Sequence, residues 1–176
     1  MKLLVGIIIG SILFVSGVVG KTEVTGPATG TGDDAASEVQ CPGGSFVVQC
    51  RCSSISDCDS NMVVGTDRCK VTHTAGRPKV KPIATCEYIC DQQDYRVVRT
   101  TYSRNPIATC PDGFIVRSCG IYYPWSQYSR MTTATKSGNK QCTATATCSR
   151  SKGCQIQAVC TVDPEGACNS MVKSNL

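Results

Sequence analysis

The stretch Cys142-Thr143-Ala144-Thr145-Ala146-Thr147-Cys148 alternates small residues with threonines over seven positions. Since successive side chains of a β-strand point to opposite faces, this pattern predicts a strand whose inner face carries the two cysteines and two alanines. A second alternating run follows in Cys154-Gln-Ile-Gln-Ala-Val-Cys160, after a polar, glycine-containing stretch that predicts a hairpin loop at residues 149–153. Alanine and cysteine as inward residues indicate a thin core that disulfide sulfur fills.

The composition extends this interpretation to the whole chain. Of the 176 residues 14 are cysteine, and Leu176 is the only leucine after residue 20, whereas valine, isoleucine and threonine are abundant. Chains poor in leucine and rich in β-branched residues favour strands over helices. The sequence therefore predicts an all-β protein and argues against cytosolic enzymes, helical bundles and nucleotide-binding α/β folds.

Residues 1–20 have the pattern of a signal peptide: Lys2, then an apolar run, with Val18 and Gly20 as small residues before the expected cleavage point. A retained membrane anchor is the alternative, and no later segment is apolar enough to span a bilayer. Secretion places the thiols in an oxidising compartment, where an even number of cysteines predicts seven bridges of open connectivity. Their members are Cys41, Cys50, Cys52, Cys58, Cys69, Cys86, Cys90, Cys110, Cys119, Cys142, Cys148, Cys154, Cys160 and Cys168.

Two related halves follow a leader at residues 21–40, which has no aromatic residue and no apolar period and is predicted to be disordered. Both halves open with C-P-x-G, an apolar run and a second cysteine, at residues 41–50 and 110–119, and each holds seven cysteines. We expect two tandem antiparallel β-sandwich modules, at 41–109 (including a linker) and 110–176. The shorter echo Pro-Ile-Ala-Thr-Cys at 82–86 and 106–110 leaves common ancestry and chance both open.

The shared opening C-P-x-G-(S/F)-x-V-x-x-C, the Cys50-Arg51-Cys52 that follows it and the Ala-x-Cys runs at 84–86 and 158–160 mark a resemblance. The sequence resembles the cysteine-rich domain of resistin-like proteins and the related repeats at the C-terminus of the cholesterol-regulating proprotein convertase. This resemblance implies compact, disulfide-stitched sandwiches of jelly-roll type over most of the chain. The paired terminal Cys-Cys of both families is missing here.

Residues for catalysis or metal binding are few. The single histidine, His73, lies in a strand-like polar stretch, and no C-x-x-C pair indicates a zinc site. Residues 57–67 carry acidic side chains at calcium-loop spacing but have Met62 where an EF-hand needs glycine and Arg68 where it needs glutamate. We therefore predict no catalytic residue, no metal site and no cofactor.

The densest basic tract is Arg77-Pro-Lys79-Val-Lys81-Pro82, and its prolines predict an extended, exposed loop. Such a tract is either a merely solvated loop or an attachment point for acidic polysaccharide, an anionic membrane surface or a mineral-associated polymer. The formal net charge of +5 is modest, and together with secretion it argues against nucleic-acid recognition.

An aromatic segment lies in the long cysteine-free stretch after Cys119. It either packs inside a small core or forms a contact surface for a protein or a sugar, because tyrosine and tryptophan supply large rigid contact areas. Its members are Tyr122, Tyr123, Trp125 and Tyr128.

Three classes of function fit a secreted, non-enzymatic protein of this kind. The leading hypothesis is a structural or interaction component of an extracellular matrix of the shell, cuticle, mucus or adhesive type, with an extracellular protein or an acidic polysaccharide as its partner. A soluble ligand acting on a receptor is the alternative that the resemblance implies. The third hypothesis is a toxin or defence protein, which cysteine density alone permits.

Overall fold

The protein is described by a computed structural model over residues 21–32, 35–73, 76–89, 91–122, 133–148 and 153–162. The predicted signal peptide at residues 1–20 and the chain after residue 162 lie outside the described residues. The described part is almost entirely β-structure, with antiparallel strand pairs throughout. The predicted all-β class is confirmed. No helix in this part combines the length and the apolar character needed to cross a membrane.

Twelve strands and two short 3₁₀ turns make up the described part of the chain. The turns are Ile55–Asp57 and Gln92–Asp94. The strands are β1 (Thr22–Thr25), β2 (Ala36–Gln40), β3 (Ser45–Cys52), β4 (Cys58–Val64), β5 (Arg68–His73), β6 (Pro82–Tyr88), β7 (Tyr95–Arg99), β8 (Ile107–Thr109), β9 (Ile115–Tyr122), β10 (Ala134–Ser137), β11 (Gln141–Ala144) and β12 (Gln155–Thr161).

One pattern of strand pairing occurs twice. The sheets have the orders β1-β6-β3, β10-β11-β8 and β2-β5-β4-β9-β12-β7. The six-stranded sheet therefore joins β2-β5-β4 to β9-β12-β7 through the single contact of β4 with β9. Shifting every strand number by six converts β1-β6-β3 into β7-β12-β9, and β2-β5-β4 into β8-β11-β10. We call β1–β6 the first strand set and β7–β12 the second.

The two C-P-x-G openings form the same local structure. Gly44 and Gly113, their fourth residues, have φ values of 79° and 82°, a left-handed conformation that glycine adopts without strain. Three residues later, the backbone N–H groups of Val47 and Val116 donate to the turns before β5 and β11, at 2.9 and 2.8 Å. The motif that the sequence repeats is thus a turn that starts β3 and β9 in the same register.

Disulfides connect the two sheets of each strand set. Cys41–Cys86 and Cys110–Cys160 tie each C-P-x-G opening to the last strand of its set, while Cys50–Cys69 and Cys119–Cys142 join β3 to β5 and β9 to β11. The short bridges differ: Cys52–Cys58 spans a 3₁₀ turn between β3 and β4, whereas Cys148–Cys154 precedes β12. Cys90 and Cys168 lie outside the described residues.

The core is thin, as its composition predicts. Buried residues form two clusters that consist mainly of half-cystines, valines and alanines. The strand predicted at 142–148 is shorter than the alternation suggests, because β11 ends at Ala144 and Ala146 is exposed. Cys148 is nevertheless buried. Its backbone N–H donates to the Arg104 carbonyl at 2.9 Å, which holds this part of the chain against the β7–β8 connection.

The leader predicted as disordered at residues 21–40 contains two strands, and this prediction is wrong for them. β1 pairs with β6 and β2 with β5. Between them Thr29 is only 1% exposed: its N–H donates to the Val80 carbonyl at 2.8 Å, and its hydroxyl accepts from the Val80 N–H at 3.2 Å. Each strand is short and has a single valine against the core, Val24 or Val39, so the segment shows no apolar period.

The predicted boundary between residues 109 and 110 does not coincide with the division of strands. β7 and β8 precede it, yet they pair with β12 and β11 of the second strand set. The strand sets divide between β6 and β7 instead. The repeated Pro-Ile-Ala-Thr-Cys runs therefore occupy different places, one in β6 and the other leading into and forming β8.

The two strand sets pack against each other through what we call the junction. β4 and β9 are matched at one residue pair, Asn61 opposite Ile121. The Asn61 side chain completes this contact by donating to the Cys50 carbonyl at 2.9 Å and accepting from the Ile121 N–H at 3.2 Å. A Cβ atom at Gly120 would collide with the Asn61 carbonyl oxygen, so the close approach of the strands requires glycine there.

Side chains of the second strand set also complete the first core. Tyr95 of β7 and Val159 of β12 belong to the cluster formed otherwise by the first set. The Tyr95 ring packs on Phe46 with centroids 5.0 Å apart, and its hydroxyl donates to the Val47 carbonyl at 2.8 Å. Burial raises the pKa of Tyr95 far above its ordinary value. The strand sets consequently form one packed body.

Candidate interaction surfaces

Residues 76–81, which we call the basic loop, lead into β6. Val80 is fully buried and is held by Thr29 on one side. Next to it, the Lys81 backbone N–H donates to the Ser53 hydroxyl, and the Ser53 N–H donates to the Lys81 carbonyl, both at 2.9 Å. These contacts fix the backbone of the loop at its C-terminal end, while the side chains on either side of Val80 point outward.

The structure places all three predicted basic residues of this tract on the surface. Arg77, Lys79 and Lys81 are exposed. The prediction of an extended, exposed loop agrees with this placement. The anchor that orders the loop has no signature in the sequence, because its partners Thr29 and Ser53 are distant along the chain.

The cations of the basic loop differ from most other described cations in forming no ion pair with a described carboxylate. Among the described residues, no ion pair within 4.0 Å includes Arg77, Lys79 or Lys81. Six ion pairs neutralise other cations: Lys21–Glu87, Arg51–Glu23, Arg68–Glu38, Lys70–Glu38, Arg117–Glu87 and Lys140–Asp112. The basic loop therefore carries three positive charges that an external polyanion can neutralise.

The aromatic segment is described only at its first residue. Tyr122 ends β9, whereas Tyr123, Trp125 and Tyr128 lie outside the described residues. Tyr122 contacts the ring of Tyr102, with centroids 6.3 Å apart and an interplanar angle of 49°. Partial burial raises the pKa of Tyr102, and the neighbouring Tyr122 phenol adds to this shift.

Sequence reasoning missed Tyr102. It is 47% exposed and lies in the connection between β7 and β8, among threonine, serine and arginine. No pattern in the sequence links it to Tyr122. Only the pairing of this connection with the residues before β12 brings the two rings together.

The remaining polar candidates have structural surroundings. His73 is buried at the end of β5, with its Nδ1 3.3 Å from the Ala35 carbonyl oxygen. The acidic stretch at 57–67 comprises the last residue of the first 3₁₀ turn, strand β4 and the turn after it. Within the described ranges, no three or more histidine, cysteine, aspartate or glutamate side chains come close enough to hold a metal ion.

No protein-family model matches the chain, and no curated protein sequence matches it either.

Proposed function

We propose that this protein is a secreted, non-enzymatic component of an extracellular matrix that attaches to acidic polysaccharide through the basic loop. The six disulfides among the described residues support an extracellular location, because such bridges persist in oxidising compartments. A core of half-cystines and small residues also suits a protein that must survive outside the cell.

The observation that carries the proposal is that no carboxylate of the described residues forms an ion pair with the basic loop. Lys79 and Lys81 flank the anchored Val80, so little backbone freedom is lost there when the loop binds a charged polymer. A carboxylated or sulfated polysaccharide offers repeated anions that can meet all three side chains at once.

The repeated strand order supports an internal duplication behind this architecture. Two bridges connect equivalent strands in both sets. The two C-P-x-G turns also have the same glycine conformation and the equivalent backbone hydrogen bond. A six-stranded unit built from two three-stranded sheets is also compatible with the jelly-roll modules that the sequence resemblance implies. The second set differs before β12, where Cys148–Cys154 closes a short segment that carries Arg150 and Lys152 and lies outside the described residues over 149–152.

The test compares two triple variants that lose the same charge. The first, R77Q/K79Q/K81Q, removes the three cations of the basic loop. The second, R51Q/R68Q/K70Q, removes three exposed strand cations that the structure pairs with glutamates. Each protein is titrated with hyaluronate, which is carboxylated, with heparin, which is sulfated, and with neutral dextran.

We expect the basic-loop variant to lose affinity for the acidic polymers while the control keeps most of it. Exposed ion contacts contribute roughly 0.2–1 kcal/mol each, so three correspond to between about threefold and a hundredfold in Kd. Equal losses in both variants, or equal binding to dextran, would contradict the proposal. Saturable binding to cells that excess polysaccharide does not compete would favour a receptor ligand instead.

A further inference from the structure

The exposed Tyr102 and the half-buried Tyr122 form a phenol pair whose geometry suits oxidative coupling. We propose that this pair is a modification site, at which a peroxidase and hydrogen peroxide join the two rings into an intramolecular dityrosine. The inference is independent of polysaccharide binding, and its failure would leave the proposed function untouched.

Backbone pairing holds both rings in place. Ser103, the residue after Tyr102, forms an isolated β-bridge with Cys154: the two residues exchange N–H···O hydrogen bonds of 3.1 and 3.0 Å. The next residue, Gln155, is the register partner of Tyr122. Cys154 and Gln155, which are adjacent in the chain, thus hold the segment of Tyr102 next to the end of β9.

Two further contacts stiffen this arrangement. The Gln155 side chain donates to the Thr100 carbonyl at 2.6 Å, which ties the start of the Tyr102 segment to β12. A Cβ at Gly153 would collide with the Ser103 carbonyl, so the chain passes closely there. Groups held at contact distance react with a high effective concentration, and the ring centroids are already 6.3 Å apart.

The other described tyrosines lack one of the two requirements. Tyr95 is 3% exposed, and its hydroxyl is engaged with the Val47 carbonyl, so an oxidant cannot reach it. Tyr88 is 57% exposed, but no ring contact pairs it with another aromatic residue of the described chain. Accessibility and a second phenol coincide at Tyr102 and Tyr122.

The chemistry balances with one peroxide. Each phenol loses one electron and one proton to give a tyrosyl radical, and the peroxide accepts both electrons and both protons to form two waters. The ring carbons next to the hydroxyl-bearing carbons then form one C–C bond, and both rings regain aromaticity by moving the remaining hydrogen to oxygen. The product is lighter than the starting protein by two hydrogen atoms. The bond would hold the β7–β8 connection to β9 under conditions that reduce disulfides.

The test treats the folded, disulfide-intact protein with horseradish peroxidase and hydrogen peroxide at low concentration, with free tyrosine as a control for the oxidant. The monomer is isolated by size exclusion, then reduced, alkylated and digested with trypsin. We expect blue dityrosine fluorescence in the monomer and a cross-link between the peptides 100–104 and 118–130 with fragment ions at Tyr122.

Matched variants make the outcome specific. Tyr102→Phe and Tyr122→Phe should each abolish this monomeric cross-link, whereas Tyr88→Phe should leave it unchanged. Circular dichroism before oxidation establishes that each variant is folded. Absence of the 102–122 link while free tyrosine is oxidised, or an equal yield of monomeric dityrosine from the Tyr102→Phe protein, would overturn the proposal. Dityrosine confined to oligomers would overturn it as well.

Discussion

Replacing Gln157 with methionine tests whether side-chain hydrogen bonds hold the junction together. Gln157 of β12 is 1% exposed, and its amide replaces a missing strand partner for Val63 of β4. The Val63 N–H donates to its Oε1 at 2.7 Å, and its Nε2 donates to the Val63 carbonyl at 2.9 Å. That carbonyl also accepts from Arg99, whereas Gln157 is the partner that the structure gives the N–H.

The expected loss of stability follows from these contacts. Methionine keeps most of the side-chain volume, so the cavity contribution is small. Two hydrogen bonds contribute about 1 kcal/mol each, and a buried N–H left without a partner costs roughly 1–3 kcal/mol. The cost of the unpartnered N–H overlaps with the loss of the hydrogen bond that it makes, so the two contributions do not add in full. We expect the free energy of unfolding to fall by about 2–4 kcal/mol, which corresponds to a fall in Tm of roughly 5–15 °C for a chain of this size.

Thermal and guanidinium unfolding of the disulfide-intact protein, followed by far-UV circular dichroism, measure this loss. Gln49→Met is the matched control, since Gln49 is an exposed residue of β3. We expect the control to change the free energy of unfolding by less than about 0.5 kcal/mol. A Gln157→Met protein as stable as the control would refute the argument, because the junction would then depend on apolar packing alone.

Three further predictions concern other parts of the fold. Tyr95 has a raised pKa, so above pH 10 the unfolded chain releases a proton that the folded protein retains. The free energy of unfolding should therefore fall by about 1.4 kcal/mol per pH unit there. Tyr95→Phe should remove this dependence in unfolding titrations between pH 8 and about 11. Gly120→Ala should cost roughly 1–3 kcal/mol through its collision with β4, whereas Gly43→Ala, which meets nothing within 4 Å, should be close to neutral in the same melts. Intact mass should show all fourteen cysteines oxidised, with Cys90 and Cys168 joined in the peptide map, and reduction should abolish the native far-UV spectrum; a reduced protein with an unchanged spectrum would contradict the role given to the bridges.

Much of the strand content could be predicted from local patterns. β11 and β12 alternate in sequence, and the C-P-x-G openings mark β3 and β9 by their turn glycines. The alternation does not reveal that β12 is buried on both faces from Ile156 to Thr161. β1 and β2 leave no such trace. Each is a short edge strand that contributes one valine to the core, so its hydrogen bonds to β6 or β5 determine its conformation.

The candidate surfaces were predicted unevenly for a related reason. Lys79 and Lys81 are visible in the sequence because charge density and proline are local properties. The partner of Tyr122 is not visible, since Tyr102 reaches it only through Ser103 and the residues before β12. The anchor of the basic loop through Val80 and Thr29 is likewise a contact between distant segments.

What the sequence by itself determined is the chemistry of the interior and the kind of secondary structure. A chain with 14 cysteines and little leucine buries mainly small side chains and sulfur, and its β-branched residues favour strands. The tertiary structure alone decided which cysteines pair, where the strand sets divide and how they join. Spacing leaves those choices open, because bridges such as Cys110–Cys160 and the buried amide of Gln157 form only between strands that folding brings together.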